Sequence, residues 1–282
     1  MYEGHPFLTW EPFQHQQAML EASLVRKQKH VWGIGPNRWG KSDLGAYATA
    51  SRAFGICPAL PGWRATTPAK IGCVALDFKM SKRVTEEKLF KFLPGEEIRR
   101  FRQDERRIYL RNGSTIDLYS CDSGREKFQG VDWDYVWFDE EPVEDVWTEC
   151  MARLIDRGGT ELVTMTPVSG LAWIHQRIYM PGFVERTDPA IGVFSGTMRD
   201  NKILGEEEIA QFERDLPSED ERQIRVYGKF ILFFGRGAFD RVALQEALET
   251  CAEPLWTGDL EAITHGPHTR DRTIEVERKV SP

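Results

Sequence analysis

No apolar run in this 282-residue chain approaches the length of a membrane span, and the opening stretch MYEGHPFLTWEPFQHQ lacks the basic-then-apolar order of an export signal. No membrane partner is expected. Cysteine is scarce. Cys57, Cys73, Cys121, Cys150 and Cys251 are scattered, odd in number and form no C-x-x-C, which argues against a disulfide framework or a zinc site. Reduced, mostly buried thiols in a cytosol are expected instead. Positive charge is not in excess either. With 37 Lys and Arg against 44 Asp and Glu the net charge is −7, which excludes nucleic acid wrapped over the whole surface. A local basic groove remains allowed because the charge is segregated. RRFRQDERR (99–107) gathers Arg99, Arg100, Arg102, Arg106 and Arg107, whereas GEEEIAQFERDLPSEDE (205–221) is acidic. There is no internal repeat and no low-complexity segment.

What is present is an alternation of apolar runs with helical patterns. Strands are expected at 31–34, 71–78, 134–142, 160–167 and 191–198, and helices at 42–54, 81–93, 144–156, 170–179, 205–216 and 218–228. RRIYLRNGSTIDLYS (106–120) reads as a β-hairpin around Asn112-Gly113, a pair suited to a type I′ turn. Such alternation predicts an α/β fold with a mainly parallel central sheet covered on both faces. After Gly228 the pattern weakens into a strand and turn and then an extended tail.

One stretch stands out. GIGPNRWGKSDLG (33–45) fits G-x-x-x-x-G-K-[ST] and lies between an expected strand and an expected helix. A phosphate cradle needs a glycine-rich turn that presents backbone N–H groups, a lysine for the β- and γ-phosphates, a hydroxyl for Mg²⁺ and a helix starting at the site. Gly35, Pro36, Asn37, Arg38, Trp39, Gly40, Lys41 and Ser42 supply these parts, with Lys41 expected on a solvent-facing loop. Arg38 is unusual there and is a candidate to reach the γ-phosphate or sense its loss. About a hundred residues later YVWFDEE ends a buried strand in carboxylates. Asp139 is the candidate to hold Mg²⁺ through water, with Glu140 to polarise the attacking water, which favours hydrolysis over transfer to a small substrate. Standing alone, the same residues read equally as a solvated acidic turn. Thr164 and Thr166 in VTMTPVSG end the next strand, where hydroxyls can sense the γ-phosphate. Gln14, Gln16 and Gln17 precede the first strand, and a glutamine amide matches the donor–acceptor edge of adenine.

The order PFQHQ, GPNRWGKS, GREKFQGVDWDYVWFDEEP, TMTPVSG and an acidic helix before VYGKF resembles the ATPase portion of tailed-bacteriophage terminase large subunits, over residues 5–240 or so. That resemblance implies a P-loop NTPase fold of the RecA-like, ASCE type with a small helical lid subdomain. It implies ATP and Mg²⁺ as ligands, with Gln16 on adenine, Lys41 and Ser42 on phosphate and Mg²⁺, and Asp139 on Mg²⁺. Glu140 would be the catalytic base and the segment from Thr164 to Pro167 the coupling element. Motors of this kind complete the site with an arginine from the adjacent subunit. In CDSGREKFQG the choice is Arg125, with Lys127 second and Arg38, acting within its own subunit, third. The implied partners are double-stranded DNA, copies of the chain in a ring on a portal protein, and a small terminase subunit. The implied setting is the cytoplasm of an infected bacterial host. The domain division expected is a motor over 1–235, its lid at about 185–235, and a linker over 236–282 toward an absent nuclease domain. No aspartate cluster follows Asp240, so nuclease activity is not expected, and His265 and His268 read as linker residues. Two other readings stay open. A helicase-type ATPase should carry a second RecA-like domain, and a nucleotide-dependent scaffold needs neither Glu140 nor a trans-acting arginine.

Overall fold

Eight strands pair into one sheet in the computed structural model, which describes residues 3–232. They are β1 (His30–Ile34), β2 (Lys70–Ala75), β3 (Ile98–Arg102), β4 (Arg107–Leu110), β5 (Thr115–Ser120), β6 (Tyr135–Asp139), β7 (Thr160–Met165) and β8 (Ile191–Phe194). The order is β3-β4-β5-β2-β6-β7-β1-β8, parallel throughout except for the β3–β4 and β4–β5 pairs. Helices in chain order are α1 (Pro6–Thr9), α2 (Gln14–Leu20), α3 (Lys41–Phe54), α4 (Phe78–Met80), α5 (Glu86–Phe92), α6 (Glu144–Ile155), α7 (Ala172–Ile174), α8 (Glu206–Asp215) and α9 (Glu219–Arg225). Wide, π-type turns at Ser81–Thr85 and His175–Val184 extend α4 and α7. The fold is the expected α/β architecture.

The central strands read as continuous apolar runs because both of their faces are covered. Every residue of β6 and β7 is buried. Alternation along β6 sends Tyr135 and Trp137 into the core beneath α3, and Val136 and Phe138 into the opposite core with Trp147 of α6. The same parity aims Asp139 at the α3 side. That helix reaches the sheet closely because residue 45 has no side chain: a Cβ on Gly45 would lie 2.0 Å from the Trp137 ring. Asp43 on α3 is held by Lys88 and Lys91, at 2.8 and 2.5 Å, which fastens α5 beside it. In the opposite core the fully buried Glu161 accepts from Trp32, Trp147 and His30, so its carboxyl oxygens have hydrogen-bond donors.

Several local expectations change. RRFRQDERR carries all but the first residue of β3, an edge strand with a bulge between Ile98 and Arg100. Its charges mask an edge that apolar patterning does not mark. The hairpin turn is not type I′, because Gly113 has φ +87° but Asn112 is not left-handed. Asn112 instead donates to Ala53 O at 2.8 Å and accepts from Ser114 N at 3.0 Å. The helix expected over 170–179 is α-helical only at Ala172–Ile174 before widening. β8 falls in the stretch expected as lid but pairs with β1, so the separately packed part begins near Met198, which forms its own cluster with Ile209 and Val226. The linker expected over 236–282, with His265, His268 and Cys251, lies outside the described residues.

Candidate active site

The C-terminal ends of β1, β6 and β7 lie side by side, as the pairs Ile34↔Met165 and Asp139↔Thr164 record. Open parallel sheets bind ligands at this edge. From β1 the chain turns through Gly35–Gly40 into α3. Gly40 has φ +78°, a left-handed conformation that glycine adopts without a side-chain penalty.

Lys41 does not face solvent as expected. It is 8% exposed, and its ammonium donates to the carbonyls of Gly35 and Pro36 and to Thr166 Oγ1, the last at 2.8 Å. Folding back in this way gives the buried cation acceptors. Burial lowers its pKa to about 8, against the raising effect of Glu140 and Asp139.

Ser42 Oγ donates to Asp139 Oδ1 at 2.9 Å, and Thr85 Oγ1 donates to Asp139 Oδ2 at 3.3 Å. Asp139 is 3% exposed, and burial first, then Glu140, push its carboxyl up to about 7. Glu140 follows with φ +88°, a left-handed backbone that costs a non-glycine residue about 1–3 kcal/mol. The turn is held by Glu140 N donating to Thr164 O at 2.9 Å, and it brings Oε2 within 3.1 Å of Thr166 N, which donates to it. Thr166 therefore touches the loop lysine through its hydroxyl and Glu140 through its amide. Glu141 is buried too. It accepts from Ser169 N at 3.0 Å, and burial raises its carboxyl to about 7.

Thr164, expected beside Thr166 at the phosphate, does not reach the site. It shares the inward parity of Leu162, and its hydroxyl accepts from Trp137 Nε1 at 2.8 Å. Gln16 is 2% exposed, with both ends of its amide engaged. Oε1 accepts from Phe13 N at 2.8 Å, and Nε2 donates to Gly40 O at 2.9 Å, so the side chain braces the phosphate loop and offers no free edge outward. Trp39 is buried as well, its ring against Gly35, stacked on His15 at 4.2 Å and bonded through Nε1 to Asp200 at 3.2 Å. His15 Nε2 donates to Trp39 O at 3.0 Å, and burial lowers the pKa of that ring. Asn201 donates to Arg38 O at 2.6 Å, and Asn37 N donates to Arg225 O at 3.0 Å. The Gly35–Gly40 loop is thus fastened at three points to the segment that packs around Met198.

Two sequence candidates stand apart. Arg38 is exposed with φ +58°. Arg125 lies on an exposed turn after β5, with the carboxylate of Glu126 3.9 Å away, and Lys127 is exposed beside it. Phe128 anchors that turn in an aromatic cluster with Tyr119 and Trp133. Sequence reasoning missed Thr85, His15, Asp200 and Asn201. A serine-lysine-arginine stretch gives no sign that Thr85 meets Asp139, and the lid contacts cross more than 150 residues.

Among the described residues no group of three or more His, Cys, Asp and Glu is placed to hold a metal, and no helix is long and apolar enough to cross a membrane. Residues 33–245 match the family described as terminase large subunit, T4likevirus-type, N-terminal. No curated protein matches the chain. Among solved structures, the large terminase of a thermophilic bacteriophage superposes with a TM-score of 0.63 at 17% identity, over 78% of this chain and 54% of that one. The ATPase domain of the Thermus phage P74-26 large terminase gives 0.60 at 18%, over 82% and 98%. The HK97 bacteriophage large terminase gives 0.60 at 13%, over 78% and 50%. At these identities the likeness is one of fold. The chain spans about half the length of the two large terminases and nearly all of the isolated ATPase domain.

Proposed function

The chain belongs to the terminase large subunit family, of the T4likevirus type, and from that premise we propose that it is the ATP-hydrolysing motor domain of a machine that moves double-stranded DNA into a viral prohead. The observation that carries this reading is the convergence of Lys41, Ser42, Asp139, Glu140 and Thr166 at one sheet edge. The thermophilic phage terminase has been solved with ADP and with ATP-γ-S, which supports ATP as the ligand.

In this account the ammonium of Lys41 exchanges its carbonyl acceptors for β- and γ-phosphate oxygens when nucleotide enters. Ser42 and Asp139 fit Mg²⁺, since both present hard oxygen donors and they lie 2.9 Å apart. The ion would supply charge neutralisation at the phosphate oxygens. The Glu140 carboxylate orients the attacking water and takes its proton. Thr166, bonded to both Lys41 and Glu140, senses whether the γ-phosphate is in place, and Thr164 supports it from within the core. Gln16 holds the loop from behind. Arg125 enters the site of an adjacent copy and offsets charge on the transferring phosphoryl group, a contribution worth about 10³–10⁵ in rate in other phosphoryl-transfer enzymes. Residues 1–235 make up the motor with its lid. It works in the host cytoplasm as a ring on a portal, with a small terminase subunit.

ATP turnover measured against chain concentration, with and without duplex DNA, tests this. Specific activity should rise as copies meet and rise again with DNA. Absence of Mg²⁺-dependent hydrolysis at every concentration would overturn the reading.

A further inference from the structure

The turn that leads out of β2 combines free cations with a direct contact to the metal carboxylate. Lys79, Lys82 and Arg83 are exposed, and none makes an ion pair among the described residues. Their spacing of three and four residues on helical backbone puts them on one face. Other exposed cations, Arg99 and Arg100 among them, are also without an ion pair among the described residues, but these three sit on the turn that reaches Asp139 through Thr85. Arg107, Arg153, Arg157, Arg199, Arg222 and Arg225 are each held by a carboxylate.

The turn is well supported. Asp77 caps it by accepting from Met80 N at 2.9 Å, and Asp122 accepts from Phe78 N at 3.2 Å. Arg106 lies 5.3 Å from the centre of the Phe78 ring and bonds Ser81 Oγ and Glu86. Of the acids nearby, Asp77, Asp122 and Glu86 accept hydrogen bonds within the turn, and both Asp122 and Glu87 are exposed. Phe78 is 52% exposed beside the cations. In the sheet Ala75 pairs with Asp139, so this turn leaves the edge next to the metal carboxylate. It returns to it through Thr85, whose hydroxyl donates to Asp139 Oδ2.

We infer that the segment from Phe78 to Thr85 grips the phosphates of duplex DNA through Lys79, Lys82 and Arg83, and that Thr85 passes this contact to Asp139. The inference rests on the packaging-motor reading and deepens it. Cations on a helical face neutralise successive backbone phosphates without reading sequence, as a motor that moves any DNA requires. Thr85 acts as a positioning residue, because a shift of the turn alters how the metal carboxylate is held.

Anisotropy of a fluorescein-labelled duplex of mixed sequence, titrated with the full chain over a range of NaCl, provides the test. Wild type should bind with a steep negative salt dependence. Lys79→Gln/Lys82→Gln/Arg83→Gln should flatten the log–log slope by about 2–3 and weaken binding at moderate salt on the order of 10²-fold. Lys27→Gln/Lys29→Gln, just before β1 at the opposite edge of the sheet, should leave the slope unchanged. Thr85→Val should bind DNA like wild type but lose the acceleration of ATP turnover by DNA, and Thr85→Ser should restore it. If wild type neither binds DNA nor responds to it, the motor reading itself fails. If wild type binds and the triple variant binds equally, or loses only its concentration-dependent assembly, the turn faces something other than DNA and the inference fails. Normal DNA acceleration in Thr85→Val would remove the link to Asp139.

Discussion

Replacing Asp139 by Asn should make the nucleotide-free chain more stable at neutral and alkaline pH while abolishing Mg²⁺-dependent hydrolysis. The carboxyl of Asp139 is pushed up to about 7, by burial first and Glu140 second, against the hydrogen bonds from Ser42 and Thr85 and the charge of Lys41. It therefore keeps its proton in the fold up to pH about 7 but loses it near pH 4 when the chain unfolds, so folding takes up protons between those values. The contribution to stability is full below pH about 4 and is lost as pH rises through about 7. A difference of roughly three pKa units corresponds to about 4 kcal/mol at most. The Asn variant never carries the buried charge, and the Ser42 and Thr85 hydroxyls can still bond its amide. It does lose the attraction to Lys41, so the net gain at alkaline pH should be about 1–3 kcal/mol, or some 2–10 °C in Tm. Urea or thermal melts from about pH 5 to pH 9, without Mg²⁺ or ATP, read this directly. The curves of wild type and variant should draw apart from the acid end up to about pH 7 and run parallel above it. If Asp139→Asn is no more stable than wild type at the alkaline end, the account of a site that stores destabilisation for its ligand is wrong.

Three further outcomes are expected. Lys41→Met keeps the buried stem and drops the ammonium, so ATP affinity measured by calorimetry should fall about 10–100-fold while the melting curve survives. Gln16→Ala frees Phe13 N and Gly40 O, which should cost about 1–3 kcal/mol of stability and weaken ATP and GTP alike. Selective loss of ATP would instead make Gln16 an adenine contact. Arg125→Ala should lose the rise of specific activity with concentration, and mixing it with Glu140→Gln chains should restore some turnover, because an intact glutamate then meets an intact arginine. A mixture that stays inactive, with Arg125→Ala itself behaving like wild type, would pass the trans role to Lys127 or Arg38.

Much of this fold was legible because apolar runs as dense as Tyr135–Phe138 admit only a strand buried on both faces. The strand, tight loop and helix around Gly35–Ser42 were legible because the glycines and the apolar run before them stand at a fixed spacing. What stayed hidden depends on tertiary contacts. Nothing in a lysine's neighbours says that it folds back onto Pro36 and Thr166, and Glu140 carries no mark of a left-handed backbone. Thr164 and Thr166 look equivalent in sequence, yet Thr164 lies within β7 and is buried against Trp137, whereas Thr166 lies just past the strand's end at Met165 and meets Lys41 and Glu140. β3 was hidden by its own arginines, which a bulged edge strand tolerates and a central strand would not.

The central claim is that this sheet edge hydrolyses ATP with Glu140 as base. Glu140→Gln keeps the shape of the turn and removes the carboxylate, so ATP binding and single-turnover hydrolysis of γ-labelled ATP, measured on the same preparation, separate holding from cleaving. The variant should bind Mg-ATP with wild-type affinity and cleave it about 10²–10⁴-fold more slowly. Cleavage at the wild-type rate with binding unchanged would contradict the account.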